Sequence, residues 1–213
     1  MRLSQIFLEC FVFKIVKYEV EHGIVMSCAI LVHGEIGSGK TSTCLKLAKR
    51  ARDRGVSIGG ILSIRVYQGG ELIGYDGLDL TVGEAFPLVR LRGCVEASDW
   101  FVFDSLIYAF SASGYERANN ILTRSAERLS SSSIIFVDEF GRLERAKLGI
   151  HLGASKVAEA LKGGGVALFV CRTDMVNDVE ELVYGKAQAV YRHEPCDVEA
   201  LWGRVQKCFG RLS

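Results

Sequence analysis

At 213 residues the chain has the length of one domain and can bury roughly 70% of its unfolded surface without a metal or crosslinks. Hydrophobic residues at 49% and charged residues at 24% exclude the disordered and membrane-embedded classes. Lys and Arg number 26 against 25 Asp and Glu, a net charge of +1, so no global field draws the protein to nucleic acid or to an anionic membrane, and any phosphate binding has to be local.

The amino-terminal stretch MRLSQIFLECFVFKIVKYEVEHG carries an apolar patch, but Glu9 and Lys14 interrupt it and no small-residue cleavage site follows, so it does not read as a secretory signal. The longest apolar run, residues 24–32, is about half of the ~20 residues that a bilayer span needs. The expectation is a cytoplasmic protein in which residues 1–25 are a detachable extension and residues 26–213 form one domain. Residues 28–32 read as a short strand, followed by a glycine-rich loop and the helical stretch KTSTCLKLAKRARDRG, which ends at Gly55 as helices do. Residues 57–67 and 71–80 flank Gln68, Gly69 and Gly70 and predict an antiparallel hairpin, which residues 85–93 extend. A brief strand at 100–103 precedes SGYERANNILTRSAERL, a helix with a serine start. The segment SSIIFVDEFGRLE then supplies an apolar strand ending in two carboxylates.

Beyond that strand the pattern alternates: a helix around 148–161, the buried strand VALFVC, a helix around 175–184, the strand AQAVYR and a last helix from about Asp197. Alternation of this kind predicts an α/β three-layer sandwich. Its sheet is mainly parallel with helices on both faces, the antiparallel hairpin is an insertion, and ligands bind at the carboxyl ends of the strands. The seven cysteines, at 10, 28, 44, 94, 171, 196 and 208, are odd in number and never form C-x-x-C, which argues for a reducing interior and against a disulfide framework or zinc site. They read as small buried hydrophobes. His22, His33, His151 and His193 show no ligand spacing.

Two segments carry chemistry. GEIGSGKTS, comprising Gly34, Glu35, Ile36, Gly37, Ser38, Gly39, Lys40, Thr41 and Ser42, matches G-x-x-x-x-G-K-[ST]. Positive φ at Gly37 and Gly39 lets successive N–H groups turn inward around an anion at the start of a helix. Lys40 is then placed for the β- and γ-phosphates and Thr41 for Mg²⁺. The second segment, Val137, Asp138, Glu139, Phe140 and Gly141, ends the acidic strand. Asp138 fits the second Mg²⁺ contact, and Glu139 beside it fits a general base that takes a proton from water, a role that contributes about 10² to 10⁴ in rate. That pair tilts the reading from a kinase, which excludes water, to a hydrolase. Arg142 and Arg145 follow within a turn or two as arginine-finger candidates, with Arg142 the favoured one. Arg65, Arg90 and Arg92 lie on the hairpin insertion, where a kinase lid could use them; Arg172 and Thr173 end the strand after the acidic one. Tyr108, Phe110 and Tyr115 could stack on a base, although core packing suits them better. A guanine-reading N-K-x-D is absent, since CRTD at 171–174 matches only its last residue.

Taken together, GEIGSGKTSTCLKLAKR, GGILSIRVYQGGELIGYDGLDL, GYERANNILTRSAERL and IIFVDEFGRLE resemble the THEP1 family of archaeal and bacterial nucleoside-triphosphatases. The resemblance spans residues 28 to about 210. It implies Mg²⁺-dependent hydrolysis of ATP, GTP, CTP and UTP with little base preference, with residues 34–41 as the phosphate loop and residues 137–141 as the acidic segment. No nucleic-acid or membrane partner is implied. The chain departs from the family at Ile64 and Arg65, where acidic residues are frequent, in the irregular stretch 91–99, and in its amino-terminal extension. Two rivals stand beside hydrolysis: a nucleotide or nucleoside kinase with residues 60–92 as its lid, and a nucleotide-switched protein-binding module.

Overall fold

The computed structural model describes residues 27–95, 98–195 and 197–210. The expected extension at residues 1–25 lies outside them. Strands are β1 (Ser27–His33), β2 (Ser57–Gln68), β3 (Glu71–Asp79), β4 (Ala85–Leu91), β5 (Trp100–Val102), β6 (Tyr108–Ser111), β7 (Ser133–Phe140), β8 (Gly165–Cys171) and β9 (Ala189–His193). Helices are α1 (Lys40–Asp53), α2 (Ala112–Glu127), α3 (Arg142–Arg145), α4 (His151–Ala160), α5 (Val176–Val183) and α6 (Val198–Cys208). The strands form one sheet in the order β5-β6-β4-β3-β2-β7-β8-β1-β9. From β2 to β9 all neighbours are parallel; from β2 outward to β5 all are antiparallel.

Strand alternation sorts the core into two layers. Cys28, Ile30 and Val32 of β1, Ile134 and Phe136 of β7, and Val166, Leu168 and Val170 of β8 face α1 and α6, meeting Leu47, Ala51, Leu201 and Val205. The intervening Ala29, Leu31, Ile135, Val137, Ala167 and Phe169 face α2, α4 and α5, meeting Ala118, Leu122, Val157 and Val179. The three-layer sandwich is thus built as the residue pattern predicts. Strand β6 was not foreseen: its four residues adjoin a helix and give too little alternation to register.

Strand β2 belongs to both halves of the sheet. Residues 57–61 run parallel to β7, and from Ile61 onward the strand pairs antiparallel with β3. The hairpin is therefore a continuation of the central sheet, with Leu62, Leu80, Phe86 and Leu88 in the core. Gly60 occupies the junction at φ 90°, and a Cβ there would lie 2.0 Å from the Phe136 carbonyl oxygen, so only glycine permits the approach of β2 to β7.

The cysteine reading requires a correction. Cys28 of β1 and Cys208 of α6 form a disulfide, their Cα atoms 5.9 Å apart and 180 positions apart in sequence. Packing of the last helix against the first strand makes this pair, and neither cysteine count nor local spacing encodes it. Cys44 and Cys171 are buried thiols as expected, whereas Cys94 is exposed; Cys10 and Cys196 lie outside the described residues.

Gly60→Ala should cost at least about 2 kcal/mol, because it combines a positive-φ penalty with a clash against backbone. Gly69→Ala, at φ 60° in open space, should cost only about 1 kcal/mol. Urea unfolding of the two variants checks the ranking.

Candidate active site

The glycine-rich loop joins β1 to α1 at the carboxyl edge of the sheet. Gly37 and Gly39 adopt φ 82° and 89°, as an inward-turning loop requires. The Ser38 N–H donates to the Glu35 carbonyl at 3.1 Å, and α1 begins with Thr43 N–H on the Gly39 carbonyl at 2.9 Å. Lys40 Nζ donates to the carbonyls of Gly34 and Glu35, both at 2.8 Å, which holds the ammonium across the loop. A Cβ on Gly34 would press on Ser38 Oγ at 2.7 Å and oblige that hydroxyl to move. The segment after β9 forms one wall, with Thr43 Oγ1 donating to the Pro195 carbonyl at 3.2 Å. Ile36 and its neighbours on the loop face solvent.

Asp138 continues the β7 alternation on the α1 face and is only 2% exposed. Its Oδ2 accepts from Thr41 Oγ1 at 2.8 Å and from the Ser63 N–H of β2 at 2.9 Å, and its Oδ1 accepts from the Glu139 N–H at 2.8 Å. Burial pushes its pKa up, while these three hydrogen bonds and the Lys40 charge oppose the shift. The two carriers of the sequence motifs, Thr41 and Asp138, are therefore in direct contact across 97 positions of sequence.

Glu139 interrupts the strand. Val137 pairs with Phe169 and Phe140 with Cys171 of β8, so one extra residue is accommodated on β7. Glu139 takes φ 67°, and Phe140 falls into the α2-side layer, reversing the earlier alternation. This is a β-bulge, and it delivers Glu139 to the cleft instead of the core. Part of the Glu139 side chain is exposed, yet its carboxyl lies deep enough among protein atoms that desolvation, followed by the Asp138 and Glu144 charges, pushes its pKa up to about 8.

Sequence reasoning missed Glu144. It is 3% exposed, its Oε2 accepts from Gly141 N–H at 2.8 Å and its Oε1 from Ile150 N–H at 2.9 Å. The carboxylate ties the turn after β7 to the start of α4, and desolvation raises its pKa to about 7. The quoted motif ends on this glutamate, but nothing in a sequence marks it as buried.

The arginine candidates separate. Arg145 is bound to Asp178 at 2.7 Å and to the Asp174 carbonyl at 2.8 Å; Arg90 pairs with Asp76 at 2.5 Å; Arg92 donates to the Asp104 carbonyl at 3.0 Å; Arg172 pairs with Asp174 at 3.0 Å. Arg142 is exposed on α3, with no contact that joins it to the loop or to Asp138. Arg65, by contrast, reaches the loop: a Cβ built on Gly37 would lie 3.8 Å from its guanidinium. Phe110 and Tyr115 pack with Phe101 in the core, so they offer no base platform. A cavity of about 210 Å³ lined by Ser57, Ser133, Arg124 and Arg128 opens at the amino ends of β2 and β7, away from this chemistry.

The glycine-rich loop, its lysine and the strand-borne acid on the parallel half of the sheet define a P-loop NTPase fold. The NTPase_1 family model, described as NTPase, matches residues 29–203, and the chain belongs to that family. It is 32% identical over 115 residues to the nucleoside-triphosphatase THEP1 of Methanopyrus kandleri, covering 54% of this chain and 58% of that one. Against the THEP1 of Methanocaldococcus jannaschii it is 26% identical over 117 residues, covering 54% and 62%. The matched region thus spans less than two thirds of these relatives. Among solved structures, THEP1 from the hyperthermophile Aquifex aeolicus superposes with a TM-score of 0.63 at 18% identity, covering 84% of this chain and 99% of that one. A human cancer-related nucleoside triphosphatase gives 0.60 at 19%, covering 86% and 96%. Both likenesses establish the fold.

Glu144 gives the site a pH signature. With a folded pKa near 7 against an ordinary 4.5, the folded chain keeps a proton that the unfolded chain has released. The stability this confers is complete below about pH 4.5 and is lost as pH rises through about 7. Relative to Glu144→Gln, the parent should lose on the order of 3 kcal/mol across that window. Urea unfolding of both at several pH values tests this; a pH-independent difference would refute it.

Proposed function

We propose that this chain catalyses Mg²⁺-dependent hydrolysis of nucleoside triphosphates to diphosphate and phosphate, with little preference for the base. The observation that carries the reading is the junction of Thr41, Asp138 and Glu139, a hydroxyl and a carboxylate in contact beside a second carboxylate in the cleft. The relatives named nucleoside-triphosphatase support the same reaction here.

In this mechanism the loop N–H groups and Lys40 Nζ bind the β- and γ-phosphates, Lys40 exchanging its loop carbonyl acceptors for phosphate oxygens. Thr41 Oγ1 and Asp138 are hard oxygen donors of the kind that suits Mg²⁺, and both would hold it. The ion, when bound, neutralises charge on the β- and γ-oxygens. Glu139 accepts a proton from the attacking water while the bond from the γ-phosphorus to the bridging oxygen breaks, and the proton then passes to solvent. A carboxyl with a pKa near 8 is a competent base only in its ionised fraction, and cationic phosphate-site partners favour that form.

For the kinase rival, residues 60–92 would have to act as a lid, whereas β2, β3 and β4 are continuous with the central sheet and bury Leu62, Phe86 and Leu88 in its core. Base tolerance follows from chemistry common to all triphosphates: affinity resides in the phosphates and the ion, and strong base discrimination needs polar groups that a wrong base leaves unpaired. Residues 26–213 are proposed as the catalytic unit, with residues 1–25 dispensable for turnover. As to location, no helix among the described residues is long and apolar enough to cross a membrane, and the reading remains a cytoplasmic enzyme.

Lys40→Ala should abolish tight triphosphate binding and turnover. Glu139→Gln should keep Mg²⁺-nucleotide affinity while kcat falls by about two decades or more. Phosphate release by the purified protein alone, measured with ATP, GTP, CTP and UTP in one Mg²⁺ buffer, should give kcat/KM values within about tenfold of each other. Absent release without an added phosphoryl acceptor, or a thousandfold preference for one base, would defeat the reading.

A further inference from the structure

Phosphoryl transfer spreads charge over the equatorial oxygens of the moving group, and an arginine that meets this charge accelerates the reaction by about 10³ to 10⁵. Arg145 is occupied by Asp178, and no contact brings Arg142 to the loop. Arg65 occupies the required place. It stands two residues beyond Ser63 in a regular stretch of β2, opposite Tyr75 of β3, so Ser63 and Arg65 share a face. Ser63 marks that face as the cleft: its N–H binds Asp138 at 2.9 Å, and its hydroxyl neighbours Glu139. From there the Arg65 guanidinium extends to the loop apex, 3.8 Å from where a Cβ on Gly37 would stand, with the Glu139 carboxyl within electrostatic reach.

Those contacts triangulate one position. On the hydrolysis reading given above, the terminal phosphoryl group lies between Lys40 in the loop and the water held by Glu139. Arg65 borders the loop apex and lies within electrostatic reach of Glu139. We infer that Arg65 is a catalytic residue of this hydrolysis, supplied in cis from β2, meeting the terminal phosphoryl oxygens as charge develops on them. Its support is a paired strand within the sheet, so no lid has to close to deliver it. Lysine cannot substitute fully, because a point charge on a flexible stem lacks the planar fork.

The experiment compares the parent with Arg65→Ala and Arg65→Lys. Steady-state phosphate release from MgATP is measured together with binding of MgADP plus aluminium fluoride, a mimic of the transferring group, and of a non-hydrolysable ATP analogue with Mg²⁺. Arg65 is exposed, so both variants should fold, which thermal unfolding verifies. For Arg65→Ala, kcat should fall about 10³-fold with KM within tenfold, and aluminium-fluoride complex affinity should fall at least about 10²-fold while analogue affinity stays within tenfold. Arg65→Lys should recover only a small part of the kcat loss. If Arg65→Ala keeps kcat within tenfold, or weakens both ligands equally, this inference is wrong while hydrolysis stands. A parent chain that binds the analogue but releases no phosphate overturns the hydrolysis reading and this inference with it.

Discussion

The buried carboxylate of Asp138 is the joint on which the site and much of the fold depend. One side chain accepts from the hydroxyl that opens α1, from the backbone of β2 and from the backbone of its own bulge. An ionised carboxylate at 2% exposure would be costly without partners, and here the three donors and the Lys40 charge offset part of that cost. The consequence is geometric. The loop, β7 and β2 hold a fixed mutual register, because shifting any one of them strands a charge in the interior.

That register explains the arrangement of β2. Ser63 reaches Asp138 only if β2 runs alongside β7 closely enough, and the close approach occurs at Gly60, where no side chain fits against Phe136. Immediately beyond, β2 changes partner to β3. The antiparallel half of the sheet thereby begins at the site itself, and β2 carries both the backbone donor for Asp138 and, two residues on, Arg65. What looks in sequence like an inserted hairpin serves as a wall of the cleft.

Local patterns made the parallel half legible. Glycine spacing, an apolar strand before each chemical segment and a helical period after it place residues 34–41 and 137–141 at one edge of the sheet, and the sheet order bears this out. Features set by contacts distant in sequence were not legible. The Cys28–Cys208 pair depends on α6 packing against β1, and Glu144 looks like an ordinary surface acid of a short helix until Gly141 and Ile150 are seen to enclose it. Arg142 stood out by proximity to the acidic pair along the chain, whereas Arg65, 74 residues before Glu139 in sequence, comes within its electrostatic reach through the β2–β7 pairing. A likeness of 18 to 19% identity that still superposes at TM-scores of 0.60 to 0.63 reflects the same division: pattern and packing fix the scaffold, and individual side chains fix the chemistry.

Glu139 shows how scaffold and chemistry conflict within one residue. A left-handed conformation at a non-glycine position costs about 1 to 3 kcal/mol, and a glycine there would remove that cost along with the carboxylate. The strand itself supplies the constraint that maintains it. Val137 and Phe140 are both buried and both paired to β8, so the backbone between them must absorb one residue too many, and the extra residue is extruded at the carboxyl end of the sheet. Because the flanking pairs fix the bulge, the backbone of Glu139 is held by packing and its side chain leaves the sheet from a fixed point. On the proposed reaction its carboxyl is the one that accepts a proton, while the neighbouring Asp138, engaged by Thr41, Ser63 and the bulge backbone, holds the loop and would hold the ion.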